Sequence, residues 1–178
     1  MDVRAADDYL VARAREGYLP AFEELVRRHQ VRAYTLAVRM LGDARDAEDV
    51  TQESFLRAWT ALPSFQGQSS FPTWLHRIVV NQCLSLQRRH RPVPVPVDTE
   101  VAGPARTEEV VEAAARDDAL HGAVLALPED QRAALVLTAF MDCTYEEAAD
   151  VLQVGVSTVR GRVARARRAL LAGMGGWA

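Results

Sequence analysis

Residues 92–97 read Pro-Val-Pro-Val-Pro-Val, and no regular element can run through them. Each proline lacks an amide hydrogen, fixes its own φ and pushes the residue before it towards extended backbone. A central strand is excluded, because the prolines remove its ladder donors. The segment reads as a stiff, extended linker that continues through Gly103 and Pro104 to about residue 107. It divides the 178 residues into two units, each the size of a small domain.

On both sides of that divide the apolar residues follow a helical period. Over residues 20–41, Phe22, Leu25, Val26, Ala33, Leu36, Ala37 and Met40 recur on one face, with Pro20 suited to a first turn and Gly42 to a stop. A second helix is predicted from Asp43 or Asp46 to about Leu62, where Pro63 and the polar stretch 64–70 break it. A third runs from Phe71 or Pro72 to about Arg91. Beyond the linker, helices are predicted near 108–126, 129–141, 145–152 and 156–172. The expected fold is all-α: a helical unit over 1–91, a Pro-rich acidic linker over 92–107, a second helical unit over 108–172 and a frayed Gly-rich tail over 173–178. No internal repeat is present.

Several function classes fall away. The apolar runs are far shorter than the ~18–20 residues needed to span a bilayer. The acidic start has no apolar signal segment, so the chain is expected in the cytoplasm with no membrane insertion. Cys83 and Cys143 are far apart and form no CxxC or Cys/His cluster, which excludes a disulfide scaffold and argues against zinc. His29, His76, His90 and His121 are scattered, and no Ser/His/Asp or Cys/His constellation appears. Neither catalysis nor a cofactor or metal is expected.

The net charge is −3, from 21 basic and 24 acidic residues, and every basic residue is arginine. The near-neutral total conceals segregation, because the linker region is strongly acidic while five arginines fall between residues 160 and 168 with no acid among them. Just before them, Thr144-Tyr-Glu-Glu147 has the form of a capping box, and a short helix follows with Tyr145, Ala148, Ala149 and Leu152 on one face. Gln153-Val154-Gly155 allows only a tight junction. The next helix places Val156, Val159, Val163, Ala166 and Leu170 within roughly 80° of the helix wheel. All five arginines lie outside that arc. Support helix, tight turn, narrow apolar seam and cationic outer face make a helix-turn-helix pattern, and arginine suits both phosphate and guanine. The plainer reading of such a run is a solvated helix end favoured by the dipole.

In the first unit, Trp74, Arg77, Asn81, Ser85 and Arg88 share one helical face, beside the polar loop 66–70 bracketed by Phe65 and Phe71. A flat ring, a cation and an amide together suit unstacked bases. Taken singly, Trp74 reads as core and Arg88–Arg91 as a solvated helix end.

Together these segments resemble the sigma-70 family of RNA polymerase sigma factors. Asp46-Ala-Glu-Asp-Val-Thr-Gln-Glu-Ser-Phe-Leu-Arg-Ala-Trp59 looks like the family's helix for core polymerase, and Phe65 to Asn81 looks like its promoter-melting segment. Leu127-Pro-Glu-Asp-Gln-Arg132 and the helix-turn-helix resemble its −35-reading domain. The short two-domain form resembles the extracytoplasmic-function (ECF) group. The resemblance implies that Asp46, Asp49, Gln52 and Glu53 face the β′ clamp helices, although acids near a helix start also simply favour the dipole. It implies −10 contacts from Phe65, Ser69, Ser70, Phe71, Trp74, Arg77, Asn81 and Arg88. It implies −35 contacts from Ser157, Thr158, Arg160, Gly161, Arg162, Arg165 and Arg168. The implied partners are core RNA polymerase, including its β flap, promoter DNA and an anti-sigma factor. Three departures bear on the −35 sequence: Gln153 replaces the usual turn glycine, Ser157 a frequent glycine and Gly161 a frequent serine. A left-handed Gln153 costs on the order of 1 kcal/mol, so the turn is expected to reshape around Gly155. A free-standing helix-turn-helix regulator would instead dimerise on palindromic duplex without polymerase, and a helical protein-binding adaptor would ignore DNA.

Overall fold

Short polar side chains and one glycine set the helix boundaries of the first unit. The computed structural model describes residues 3–89 and 119–174. α1 (Val3–Arg15), α2 (Leu19–Leu41), α3 (Ala44–Ala61), a 3-10 turn at Leu62–Ser64 and α4 (Phe71–Arg89) form this unit. Pro20 lies in the first turn of α2, and Gly42 ends it in the left-handed region at φ +79°, its amide donating to the Val38 carbonyl at 2.8 Å. Asp43 then caps α3 by accepting from the Asp46 amide at 2.8 Å. Ser70 starts α4, its hydroxyl accepting from the Thr73 amide at 3.3 Å. α2 is central, packed by α1, α3 and α4. Leu25, Leu36, Met40, Phe71, Leu75 and Val79 are fully buried there, each worth about 1.5–3 kcal/mol.

α1 is an addition to the helices predicted from sequence. Its anchor is polar: Asp7 is 2% exposed, with Oδ2 at 2.8 Å from His29 Nε2 and Oδ1 accepting from Arg28 at 3.1 Å. A carboxylate so placed is tolerable only with such partners.

The second unit comprises the helical residues 119–125 (α5), α6 (Glu129–Ala139), α7 (Tyr145–Leu152) and α8 (Val156–Met174). α6 packs on α8, and α7 on both. The turn between α7 and α8 corrects the expectation stated above. Gln153 itself takes the left-handed conformation, at φ +54°, and Gly155 does not. Its side-chain amide donates to the Asp150 carbonyl at 2.7 Å, giving a helix-end acceptor a donor and offsetting part of the strain. Among the described residues there is no strand. The predicted linker 92–107, residues 90, 91 and 108–118, and the tail beyond 174 lie outside the described residues.

The two units touch, α4 against α7 and α2 against α6. Arg132, 9% exposed, donates to the Met40 carbonyl at 2.5 Å and to the Leu125 and Leu127 carbonyls at 2.5 and 3.0 Å. It thereby joins the ends of α2 and α5, where helix dipoles favour a cation. Arg32 donates to the Met141 carbonyl at 2.7 Å, and the Arg39 guanidinium lies 3.8 Å from the centre of the Phe140 ring. A Cβ at Gly42 would meet the end of the Leu125 side chain, which could shift, so it is the positive φ that requires glycine here.

Candidate nucleic-acid interface

The helix-turn-helix is built from its cap outward. The Thr144 hydroxyl accepts from the Glu147 amide at 3.1 Å, and the Glu147 carboxylate accepts from the Thr144 amide at 2.9 Å. This capping box fixes the start of α7. On α8, Val159, Val163 and Ala166 are buried and Val156 and Leu170 half-buried, so the seam faces the unit's core. Ser157, Thr158, Arg160, Arg165 and Arg168 stand on the exposed side. Arg160 lies 5.5 Å from the Tyr145 ring centre, which ties the outer helix to its support. Arg162 turns inward: it is half-buried and paired with Asp130 of α6 at 3.1 Å. The Arg165 guanidinium runs past the bare backbone of Gly161, where a Cβ would meet Nη1 at 3.4 Å.

The sequence-derived −10 set divides in space. Phe65 stacks on Trp74 with ring centres 4.9 Å apart, and Phe71 lies 5.9 Å from Trp74. Phe71 is 1% exposed and Phe65 8%, so both rings belong mainly to the core and support the half-buried Trp74. Ser70 is engaged as the cap of α4, and its hydroxyl also bonds that of Thr73 at 2.8 Å. Trp74 and Arg77 line a cleft of about 370 Å³ with Phe65, Gln66, Gln68 and Ser69. Two further walls come from the second unit, Asp150 and Gln153. Arg77 Nη2 and Asp150 Oδ1 are 2.6 Å apart. Asn81, exposed one turn further along α4, borders a different groove with Glu53, Leu56 and Ile78. Arg88 is exposed and donates to the Ser85 hydroxyl at 3.2 Å.

On α3, Asp49, Gln52 and Glu53 are exposed and Asp46 half-buried. Glu53 accepts from Arg57 at 2.8 Å. Sequence reasoning missed Leu56, which is 64% exposed beside Glu53; an apolar residue off the helix's buried stripe was the available signal. It also missed Asp150 and Gln153 as neighbours of Arg77, because nothing local in the chain predicts a contact across the units.

Burial governs the titratable groups between the units. His76 is pushed down to about 4, first by burial and then by the charges of Arg32 and His29. Cys143 is pushed up to about 11, first by burial and then by the Glu147 carboxylate, and its thiol lies 3.6 Å from His76 Nδ1. Both are neutral at pH 7, so the thiol can donate to the ring. Among the described residues no group of three His, Cys, Asp or Glu is placed to hold a metal ion, and no helix is long and apolar enough to cross a membrane.

The family model of sigma-70 region 2 matches residues 25–93, and that of sigma-70 region 4 matches residues 117–170. These two regions in this order are the architecture of a sigma factor. Over 176 residues the chain is 39% identical to the RNA polymerase sigma-H factor of Pseudomonas aeruginosa, covering 92% of this chain and 91% of that protein. Over 185 residues it is 34% identical to the ECF RNA polymerase sigma-E factor of Escherichia coli, covering 96% and 95%. The structure of CnrH in complex with the cytosolic domain of CnrY aligns with a TM-score of 0.75 at 33% identity, covering 97% of this chain and 99% of that one. The chain belongs to the ECF RNA polymerase sigma factors of the sigma-70 family. It is a transcription initiation factor and not an enzyme.

Proposed function

We propose a division of labour in which residues 1–91 bind core polymerase and open the −10 element, and residues 108–172 read the −35 duplex. Residues 92–107 are the linker between the two. Asp46, Asp49, Gln52 and Glu53, with the exposed Leu56 beside them, meet the β′ clamp helices, and the second unit docks on the β flap. The cleft of Trp74 and Arg77, rimmed by Ser69, takes single-stranded −10 DNA, with Asn81 and Arg88 further along the strand. Ser157, Thr158, Arg160, Gly161, Arg165 and Arg168 approach the −35 major groove. The factor works in the cytoplasm, where its polymerase is. It is held by an anti-sigma factor, a reading supported by its likeness to CnrH, which was solved in complex with CnrY.

The observation that carries this reading is α8: a buried seam on one side, exposed arginines on the other and a capped support helix behind it. Adding the protein to core polymerase should give initiation at its promoter. Reversing Asp49 and Glu53 to Arg should weaken polymerase binding with helicity retained, because complementarity is lost at a surface. Arg165→Ala in the holoenzyme should lose about 1–3 kcal/mol of −35 discrimination. Tight binding of palindromic duplex by the free chain, with no response to polymerase, would overturn the reading in favour of a free-standing regulator.

A further inference from the structure

In the free chain the cleft assigned to the −10 strand is shared between the two units. Its cation, Arg77, lies on α4 of the first unit, and its nearest anion, Asp150, lies on α7 of the second. A carboxylate presents two anionic oxygens to a guanidinium much as a phosphate does. Gln153, held left-handed in the helix-turn-helix junction, forms another wall. We propose that Asp150 is an internal competitor of promoter DNA: the closed arrangement of the two units sets its carboxylate on Arg77, and the −10 strand gains the cleft only when the second unit swings away. This rests on the reading that the cleft takes single-stranded −10 DNA.

Three features support competition over a merely structural pair. First, Asp150 stands in the last turn of α7, where the helix dipole disfavours an acid, so its charge does nothing for its own helix. Second, the pair leaves Arg77 incompletely used. One nitrogen meets one oxygen, while the buried Nε finds no acceptor among the described residues. A ligand with more acceptors, such as a nucleic-acid strand, can satisfy the guanidinium better. Third, the side chains are 30% and 44% exposed, so the pair is screened and weak enough to exchange. The Arg132, Arg32 and Arg39 contacts hold the units in register while it forms.

The test uses the full chain without polymerase. Its affinity for a single-stranded oligonucleotide of the −10 non-template sequence is read by fluorescence anisotropy, and its radius of gyration by small-angle X-ray scattering. Asp150→Asn, and separately Asp150→Ala, should bind the oligonucleotide about three- to tenfold more tightly than wild type, because the competent open state is more populated. Both should expand the particle only slightly, because the Arg132, Arg32 and Arg39 contacts remain. Adding Arg77→Ala to either should cancel the gain in affinity. In the holoenzyme, where polymerase holds the units apart, Asp150→Asn should initiate like wild type and Arg77→Ala should initiate poorly. Unchanged affinity and size on losing Asp150, with Arg77→Ala still defective in the holoenzyme, would overturn the closure and leave the −10 reading standing. A holoenzyme indifferent to Arg77→Ala would overturn the −10 reading itself, and the competition with it.

Discussion

His76 is an ionisable ring held where a proton is unwelcome. It is 4% exposed, with Arg32 and His29 adding to the effect of burial, and its pKa falls from 6.5 to about 4. The unfolded chain takes up a proton near pH 6.5, while the folded chain resists it until about pH 4. The stability from keeping the ring neutral is therefore complete above pH 6.5 and is lost as pH falls towards 4, by on the order of 3 kcal/mol. Urea midpoints measured from pH 7 to 4.5 should fall less steeply for His76→Leu than for wild type; parallel slopes would refute this. The burial of His76 had no sequence signal, because part of its cover comes from Cys143, which is 67 residues away. Asp7 was illegible for the same reason, since its partners Arg28 and His29 lie 21 and 22 residues on. The seam of α8 was legible, because five apolar residues at helical spacing can face only one way.

At the scale of elements, boundaries follow from local chemistry and were largely readable. Pro20, Gly42, Asp43 and Thr144 each sit where a helix starts or stops. The loop before α4 illustrates the limit. Taken singly Trp74 reads as core, and only the family resemblance gives the aromatics a −10 role; the structure divides them, with Phe71 and Phe65 inside and Trp74 at the edge. α1 was missed because its anchoring group is a carboxylate, which a search for apolar period passes over. The short α7 depends most on its cap, since eight residues make few internal bonds and the box supplies donors and acceptors in both directions. Thr144→Ala should cost about 1–2 kcal/mol and lower the melting temperature by several degrees. Its −35 affinity in the holoenzyme should fall with it. An unchanged melt would mean that packing on α4, α6 and α8 holds α7 without its cap.

In the whole molecule the two units share a buried cation, and Arg132 is one of several contacts through which they depend on each other. Replacing it with Leu would deprive the Leu125 and Leu127 carbonyls of this donor, while Met40 would keep its bond from Gln87. Removing a buried guanidinium and leaving those acceptors unmet should cost roughly 2–4 kcal/mol. Arg132→Leu should unfold at a lower calorimetric temperature than wild type, because the joint it weakens lies within one buried cluster that runs through both units. A single transition at the wild-type temperature would count against the joint. The same asymmetry has a consequence in time. Arg77 belongs to the part of the chain that is synthesised first, and Asp150 follows 73 residues later. At ~5–20 residues per second the ribosome needs on the order of 4–15 s to cover that interval. During those seconds the first unit can fold around its own core with its cation uncovered. On the proposed competition, each newly made molecule passes once through a state in which Arg77 is most open to nucleic acid, before Asp150 is there to cover it.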